Sequence, residues 1–200
     1  MLVYLRNFID GLFRLPEFKG FGESDFDSSR AALIQREVFK KKKILGILYR
    51  EYCRPFLESA RRAPEKAKMV EIGSGVSPLK EVIPDLVNTD LFVSPWLNLS
   101  SSAYSLPFKS NSLDRLFLMF TCHHLGRIRE FLNEAYRCLK AGGEMVIIDP
   151  AITPFSRFYY KYFHVDKIDI ESKDWGFGGN GRQYSLYRIP RIFFFLNTSR

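Results

Sequence analysis

Cysteine is scarce in this chain of 200 residues: Cys53, Cys122 and Cys138 are the whole set. Their odd number and irregular spacing exclude a disulfide framework and offer no metal knuckle, so no metal site is expected. Sparse cysteine fits a reducing compartment, and a cytoplasmic location is expected. Long apolar runs are also missing. None approaches the roughly 20 residues needed to span a bilayer. The N-terminal stretch Met1 to Phe18 is broken by Arg6, Asp10 and Arg14, so it lacks the unbroken core of a signal peptide. No internal repeat is visible. Acidic residues are in the minority, 22 against 30 lysines and arginines, which leaves a formal net charge of +8. That balance attracts phosphorylated metabolites, an anionic membrane surface or nucleic acid, without choosing among them. No nucleic-acid module is recognisable, and no nucleic-acid partner is expected.

Two regions differ in pattern. Residues 1–63 read as an N-terminal helical extension packed on the same domain. Leu2, Leu5, Phe8, Ile9, Leu12 and Phe13 recur at helical spacing. Two readings stand for that segment: a helix packed on the domain, or a basic amphipathic helix making peripheral membrane contact. A loop at Gly20 to Ser24 follows, then a long helical stretch from about Ser28 to Ala63, with a break expected near Pro55. Lys40 to Lys43 form a run of four cations, read as a solvated surface or as an anion-binding patch.

From residue 64 to 200 short strands alternate with helices. Strands are expected at Lys68 to Ile72, Leu86 to Thr89, Asp114 to Phe120 and Glu144 to Ile148. A short helix is expected at Pro78 to Ile83. A longer one, Ile128 to Lys140, should be stopped by Gly142-Gly143. Leu116 to Phe120 are apolar throughout, as suits a central parallel strand buried on both faces. Such alternation implies an α/β fold with a mostly parallel central sheet between helical layers. At the end of the chain, Gln183 to Arg188 and Arg191 to Leu196 suit an antiparallel strand pair.

The sharpest local feature is Val70-Glu71-Ile72-Gly73-Ser74-Gly75-Val76-Ser77-Pro78, a strand entering a glycine turn. Gly73 and Gly75 permit a tight bend and a close approach of backbone to ligand. Glu71, two residues before Gly73, would oppose a diphosphate, which in dinucleotide enzymes rests on this turn. It would suit a ligand carrying an amine and a sulfonium. Asp90 ends the next strand, where an acid commonly takes ribose hydroxyls. Pro78 occupies the position of the third glycine of the dinucleotide fingerprint, which argues against a nicotinamide-dependent oxidoreductase. The combination favours an adenosyl ligand without a diphosphate.

Three further runs carry a family resemblance over about Met69 to Pro150. Leu106-Pro107-Phe108-Lys109-Ser110-Asn111-Ser112-Leu113-Asp114 resembles the "LPF…sFD" signature of class I S-adenosylmethionine-dependent methyltransferases of the small-molecule, type 11 kind. Cys122-His123-His124-Leu125 and Glu134-Ala135-Tyr136-Arg137-Cys138-Leu139-Lys140-Ala141-Gly142-Gly143 are similar to two more of its motifs. The resemblance implies a Rossmann-like three-layer sandwich, S-adenosyl-L-methionine as cofactor and a small-molecule acceptor, with a saccharide or a lipid as candidates. It also implies Glu71, Gly73, Ser74 and Gly75 at the methionine part, Asp90 and Leu91 at the ribose, and Ser102 and Ala103 at the adenine. Ser102 stands where the family usually has an acid, and little room between Asp90 and Leu106 remains for the usual helix and strand. A shortened, irregular crossover is expected there. These departures keep a second reading open, a non-catalytic binding or scaffold protein on a degenerate methyltransferase fold.

His123 and His124 fall at the carboxyl end of a strand, where ligands bind in open α/β sheets. One of them, with His124 preferred, would deprotonate an acceptor; the alternative is that both shape the pocket. The aromatic segment Phe155, Phe158, Tyr159, Tyr160, Tyr162, Phe163, Trp175 and Phe177 reads as core or as a wall for an apolar or sugar-bearing substrate.

Overall fold

The computed structural model describes residues 16–18, 28–149 and 194–197. The expected features at 2–13, 20–24, 155–177 and 183–188 lie outside the described residues. Two helices come first, α1 (Ser29–Lys41) and α2 (Lys43–Arg61). They are followed by β1 (Met69–Ile72), α3 (Pro78–Val82), β2 (Val87–Asp90), β3 (Leu99–Ser100), β4 (Leu113–Met119), α4 (Ile128–Cys138), β5 (Leu139–Ile148) and β6 (Phe194–Asn197). The strands form one sheet in the order β3-β2-β1-β4-β5-β6. The first five are parallel and β6 is antiparallel to β5.

Strand alternation builds the layers. Residues one apart on a strand face opposite sides of a sheet. Leu116 and Leu118 of β4, with Val70, Ile72, Met145 and Ile147, pack against Ile128, Phe131 and Ala135 of α4. Phe117, Met119 and Val146 face the other way, onto Cys53 and Phe56 of α2 and Leu79 of α3. Both faces are covered, so the sheet is the middle of three layers. Phe56 and Phe117 meet edge to face at 5.4 Å and are fully buried. Burying each such ring stabilises the fold by about 1.5–3 kcal/mol.

Two element boundaries depart from the sequence reading, each for a local reason. The helical break falls at Lys42, which is extended (φ −95, ψ 96), and Pro55 sits inside α2. Helix α1 closes there because Lys40 and Lys41 lie favourably at its negative end and the Lys42 N–H still reaches Val38 O. Pro55 removes a bond to Glu51, an exposed residue whose carbonyl water can satisfy. The second departure is at Gly142-Gly143, which lie inside β5 and do not stop α4. Helix α4 ends at Cys138, where the Ser112 and Asn111 N–H groups take the last carbonyls of Cys138 and Arg137. The glycines instead absorb a register shift in the β4–β5 ladder, with Gly142 at φ 77. The crossover between Asp90 and Leu106 is short and irregular as expected. It holds the two-residue β3 and a single bridge between Ser102 and Ser105.

Family-like motifs mostly serve this architecture. Glu134 and Arg137 pair at 2.7 Å and together hold the Leu106–Phe108 backbone. Glu134 accepts from the Leu106 N–H, and Arg137 donates to the carbonyls of Leu106 and Phe108. Asp114 accepts from the Lys68 N–H and from Lys140, both at 2.8 Å. Burial acts to raise the Asp114 pKa, but the Lys140 ammonium and the Lys68 N–H outweigh it and hold the carboxyl below its ordinary range.

Candidate cofactor and active site

The switch in strand order lies beside β1: the chain moves outward from β1 to β2 and β3, then returns to place β4 on the other side. Ligands in such sheets bind at that point, outside the carboxyl ends of the strands. Here the glycine turn after β1 and the Cys122–His124 turn after β4 face the same edge.

The glycine turn is held from three sides. Gly73 (φ +66) is packed against Thr121, whose Oγ1 donates to Gly73 O at 3.0 Å. A Cβ on Gly73 would stand 2.3 Å from Thr121 Cγ2. Asp90, ending β2, accepts from the Gly75 N–H at 2.8 Å and from the Phe92 N–H at 3.1 Å. Trp96 donates from Nε1 to Gly75 O at 2.8 Å, and Arg36 of α1 donates to Val76 O while lying over the Trp96 ring at 4.6 Å. Ser74 is buried, with its N–H on Thr89 O.

Glu71 is the unusual group. Its side chain is 1% exposed, and Oε2 has no hydrogen-bond partner among the described residues. Burial pushes its pKa up from 4.5 to about 8; a hydrogen bond from Ser74 opposes this and the nearby Asp90 charge adds to it. Asp90 beside this turn, joined by Glu71 once a bound cation draws off its proton, would repel a diphosphate and attract a cation. A buried carboxyl with an unpartnered oxygen, beside backbone too tight for a side chain, fits the amine-bearing, positively charged end of S-adenosylmethionine.

Leu91 is exposed next to Asp90, and its carbonyl accepts from Ser100 Oγ. Ser101 N–H reaches Asp90 O at 2.9 Å, so the chain around Ser102 and Ala103 lies beside the tip of β2. Ser102 turns its Oγ to the Tyr104 N–H, and Ala103 is buried.

The two histidines are separated by their surroundings. His123 is half-buried, and its Nδ1 lies 3.1 Å from Asp149 Oδ1 at the end of β5. His124 is exposed, its ring 4.0 Å from that of His123. Spacing alone could not decide between the two, and the slight preference for His124 meets here a pair whose inner member, His123, is the one beside Asp149. Sequence reasoning also missed Arg36, Thr121 and the Asp149 partnership. Each depends on contacts between residues far apart in the chain, which no local pattern encodes.

Polar accounting separates the two edges of the sheet. At the amino edge Asp114, Lys140, Arg115 and Glu144 are paired. Among the described residues, the buried side-chain atoms left without a partner are Glu71 Oε2, Ser94 Oγ and Asp149 Oδ2, all at the carboxyl edge.

Residues 51–147 match the family model described as a methyltransferase domain. A ubiquinone/menaquinone biosynthesis C-methyltransferase of Cereibacter sphaeroides is 35% identical over 60 residues, 30% of this chain and 24% of that protein. A demethylmenaquinone methyltransferase of Symbiobacterium thermophilum is 29% identical over 133 residues, 64% of this chain and 50% of that protein. The chain thus spans about a quarter to a half of these relatives. A structure assigned as an S-adenosyl-L-methionine-dependent methyltransferase, from Methanococcus maripaludis, aligns with a TM-score of 0.50 and 17% identity. It covers 60% of this chain and 63% of that one, and shows the shared fold. Over residues 51–147 the chain is thus similar to a methyltransferase domain, and its sheet shares the fold of that S-adenosyl-L-methionine-dependent methyltransferase structure.

Proposed function

We propose that this protein transfers a methyl group from S-adenosylmethionine to a small-molecule acceptor at the carboxyl edge of its sheet. The observation that carries this reading is Glu71, a buried carboxyl with an unpartnered oxygen beside a glycine turn. S-adenosylmethionine supplies a methyl group already activated by its sulfonium. The protein's task is then to orient the acceptor, which can account for about 7–11 kcal/mol of the barrier. Glu71 takes the amine end, Asp90 the ribose hydroxyls, and Leu91 with Ser102 and Ala103 the adenine side. When His123 Nδ1 donates to Asp149, Nε2 is the basic nitrogen of the ring and suits removal of an acceptor proton. The relatives are named for quinone methylation, which favours a lipid-soluble acceptor; a saccharide is the alternative.

Binding should be linked to a proton. Unliganded Glu71 titrates at about 8 rather than 4.5, so it holds its proton at neutral pH, and its burial destabilises the free protein progressively as pH rises across that window. A cation at Oε2 reverses the preference. Titration of S-adenosylhomocysteine at pH 7 in buffers of different ionisation enthalpy should therefore report release of a proton, absent in Glu71→Gln. Buffer-independent heat would remove the role given to Glu71. No heat from folded protein would favour the binding-protein reading, which the two-residue β3 and the uncharged Ser102 motivate.

His123→Asn should lower kcat about a hundredfold, the lower range for loss of a general base, with the affinity for S-adenosylhomocysteine unchanged. The measurement is transfer of radiolabelled methyl to a panel of lipid quinols and saccharides. An unchanged kcat would assign His123 to shaping the pocket.

A further inference from the structure

Helix α2 carries apolar side chains on a largely uncovered face, whose far end alone meets another described element, at Phe120. Ile44 is 59% exposed, Ile47 51%, Leu48 41% and Tyr52 37%. At 100° per residue Ile44, Ile47 and Leu48 share one stripe opposite Cys53, and Tyr52 lies at its border with the Phe56 face that enters the core. Lys40, Lys41, Lys42 and Lys43 lie at the beginning of that stripe, at the junction with α1, and Arg50 flanks it. Lys40 pairs with Glu37 at 3.3 Å, and Glu51 is the acid within the stripe, a turn beyond Ile47 and away from the lysine end. The far end reaches the active edge: the Tyr52 ring meets Phe120 at 5.0 Å, and Phe120 immediately follows β4 and precedes Thr121. Helix α1 is tied to the same edge through Arg36 and Val76 O.

We infer that Ile44, Ile47, Leu48 and Tyr52, with Lys40–Lys43 at their head, dock this protein on an anionic lipid surface. An apolar stripe beside a cation cluster suits the boundary between headgroups and acyl chains. Charge selects the occupant. A second copy would bring another molecule of net charge +8 against the lysine end, whereas acidic headgroups neutralise it. Docked in this way, the mouth beside Phe120 and His123 lies close to the bilayer, where a lipid-soluble acceptor would be drawn; that last step rests on the proposed methyl transfer, the docking itself does not.

The test is co-sedimentation of the full chain with vesicles of phosphatidylcholine alone or with added phosphatidylglycerol. Binding should be confined to the anionic vesicles and weaken as salt is raised. Lys41→Gln/Lys42→Gln/Lys43→Gln should reduce partitioning by about tenfold or more. Ile44→Ser/Ile47→Ser/Leu48→Ser should do the same at constant charge, with the folded state checked by circular dichroism. As a measurement independent of that triple variant, a bimane label on Ile47→Cys should shift to the blue on anionic vesicles. Equal binding to both vesicle types overturns the inference. So does binding that neither triple variant weakens, or a dimer in light scattering that the serine variant dissolves. Vesicle binding and S-adenosylhomocysteine binding are measured separately, so either can fail without the other.

Discussion

Gly73→Ala is expected to abolish measurable binding of S-adenosylhomocysteine and to lower stability by roughly 2–5 kcal/mol. Two costs add. An alanine held in the left-handed region loses about 1–2 kcal/mol, and Gly73 is at φ +66. Its new methyl would also sit 2.3 Å from Thr121 Cγ2 and 2.5 Å from Thr121 Oγ1, well inside contact distance. Relief of such overpacking typically costs about 1–3 kcal/mol. The turn and Thr121 must separate, which breaks the Thr121–Gly73 hydrogen bond and moves the segment leading to His123. Urea unfolding and calorimetry would measure both losses. In Gly73→Ala/Thr121→Gly the clash is removed and the backbone strain stays, so stability should recover in part and ligand binding much less. A single variant that binds as tightly as the parent would show that the turn has slack the geometry denies.

Glu144→Ala should destabilise the fold by about 3 kcal/mol, the lower end of the range for breaking a buried ion pair. Glu144 sits on β5 directly across from Arg115 of β4. Its Oε2 is 3.2 Å from Arg115 Nε and accepts from Ser59 Oγ at 2.7 Å, while Oε1 pairs with Arg62 at 3.1 Å. One carboxylate thus binds the end of α2 to the middle of the sheet. Its removal leaves the Arg115 guanidinium buried, with only the carbonyls of Ser59 and Asp114 as acceptors, which limits the loss. Glu144→Gln should fall between, keeping hydrogen bonds without charge. Arg115→Met/Glu144→Leu should regain most of the stability, because no buried charge then remains. If Glu144→Ala melts with the parent, the cluster is a surface feature and α2 is held by its apolar face around Cys53 and Phe56.

Sequence reading succeeded where pattern is local. The unbroken apolar run Leu116–Phe120 announced a strand buried on both faces, and the glycines after β1 announced a turn. It failed where long-range contacts decide. Gly142-Gly143 has the look of a helix stop, yet the loop at Asn111–Ser112 had already closed α4 and the glycines were left to the strand. Two adjacent histidines are equivalent to spacing arguments; Asp149, 26 residues further on, separates them. The clamp of Arg36 and Trp96 on the glycine turn joins residues whose sequence neighbourhoods share nothing. Three of the family-like motif residues, Asp114, Glu134 and Arg137, bind backbone away from the glycine turn.

Helix α4 becomes β5 without an intervening residue, Cys138 closing one and Leu139 opening the other. What slack the junction has lies at the Gly142-Gly143 register shift. One residue inserted beyond it, before Met145, would rotate the rest of the strand by half its repeat and exchange Val146 for Met145 and Ile147 between the two helical layers. A length change is absorbed more easily on the opposite rim, where several residues separate β1 from α3, β2 from β3 and β4 from α4.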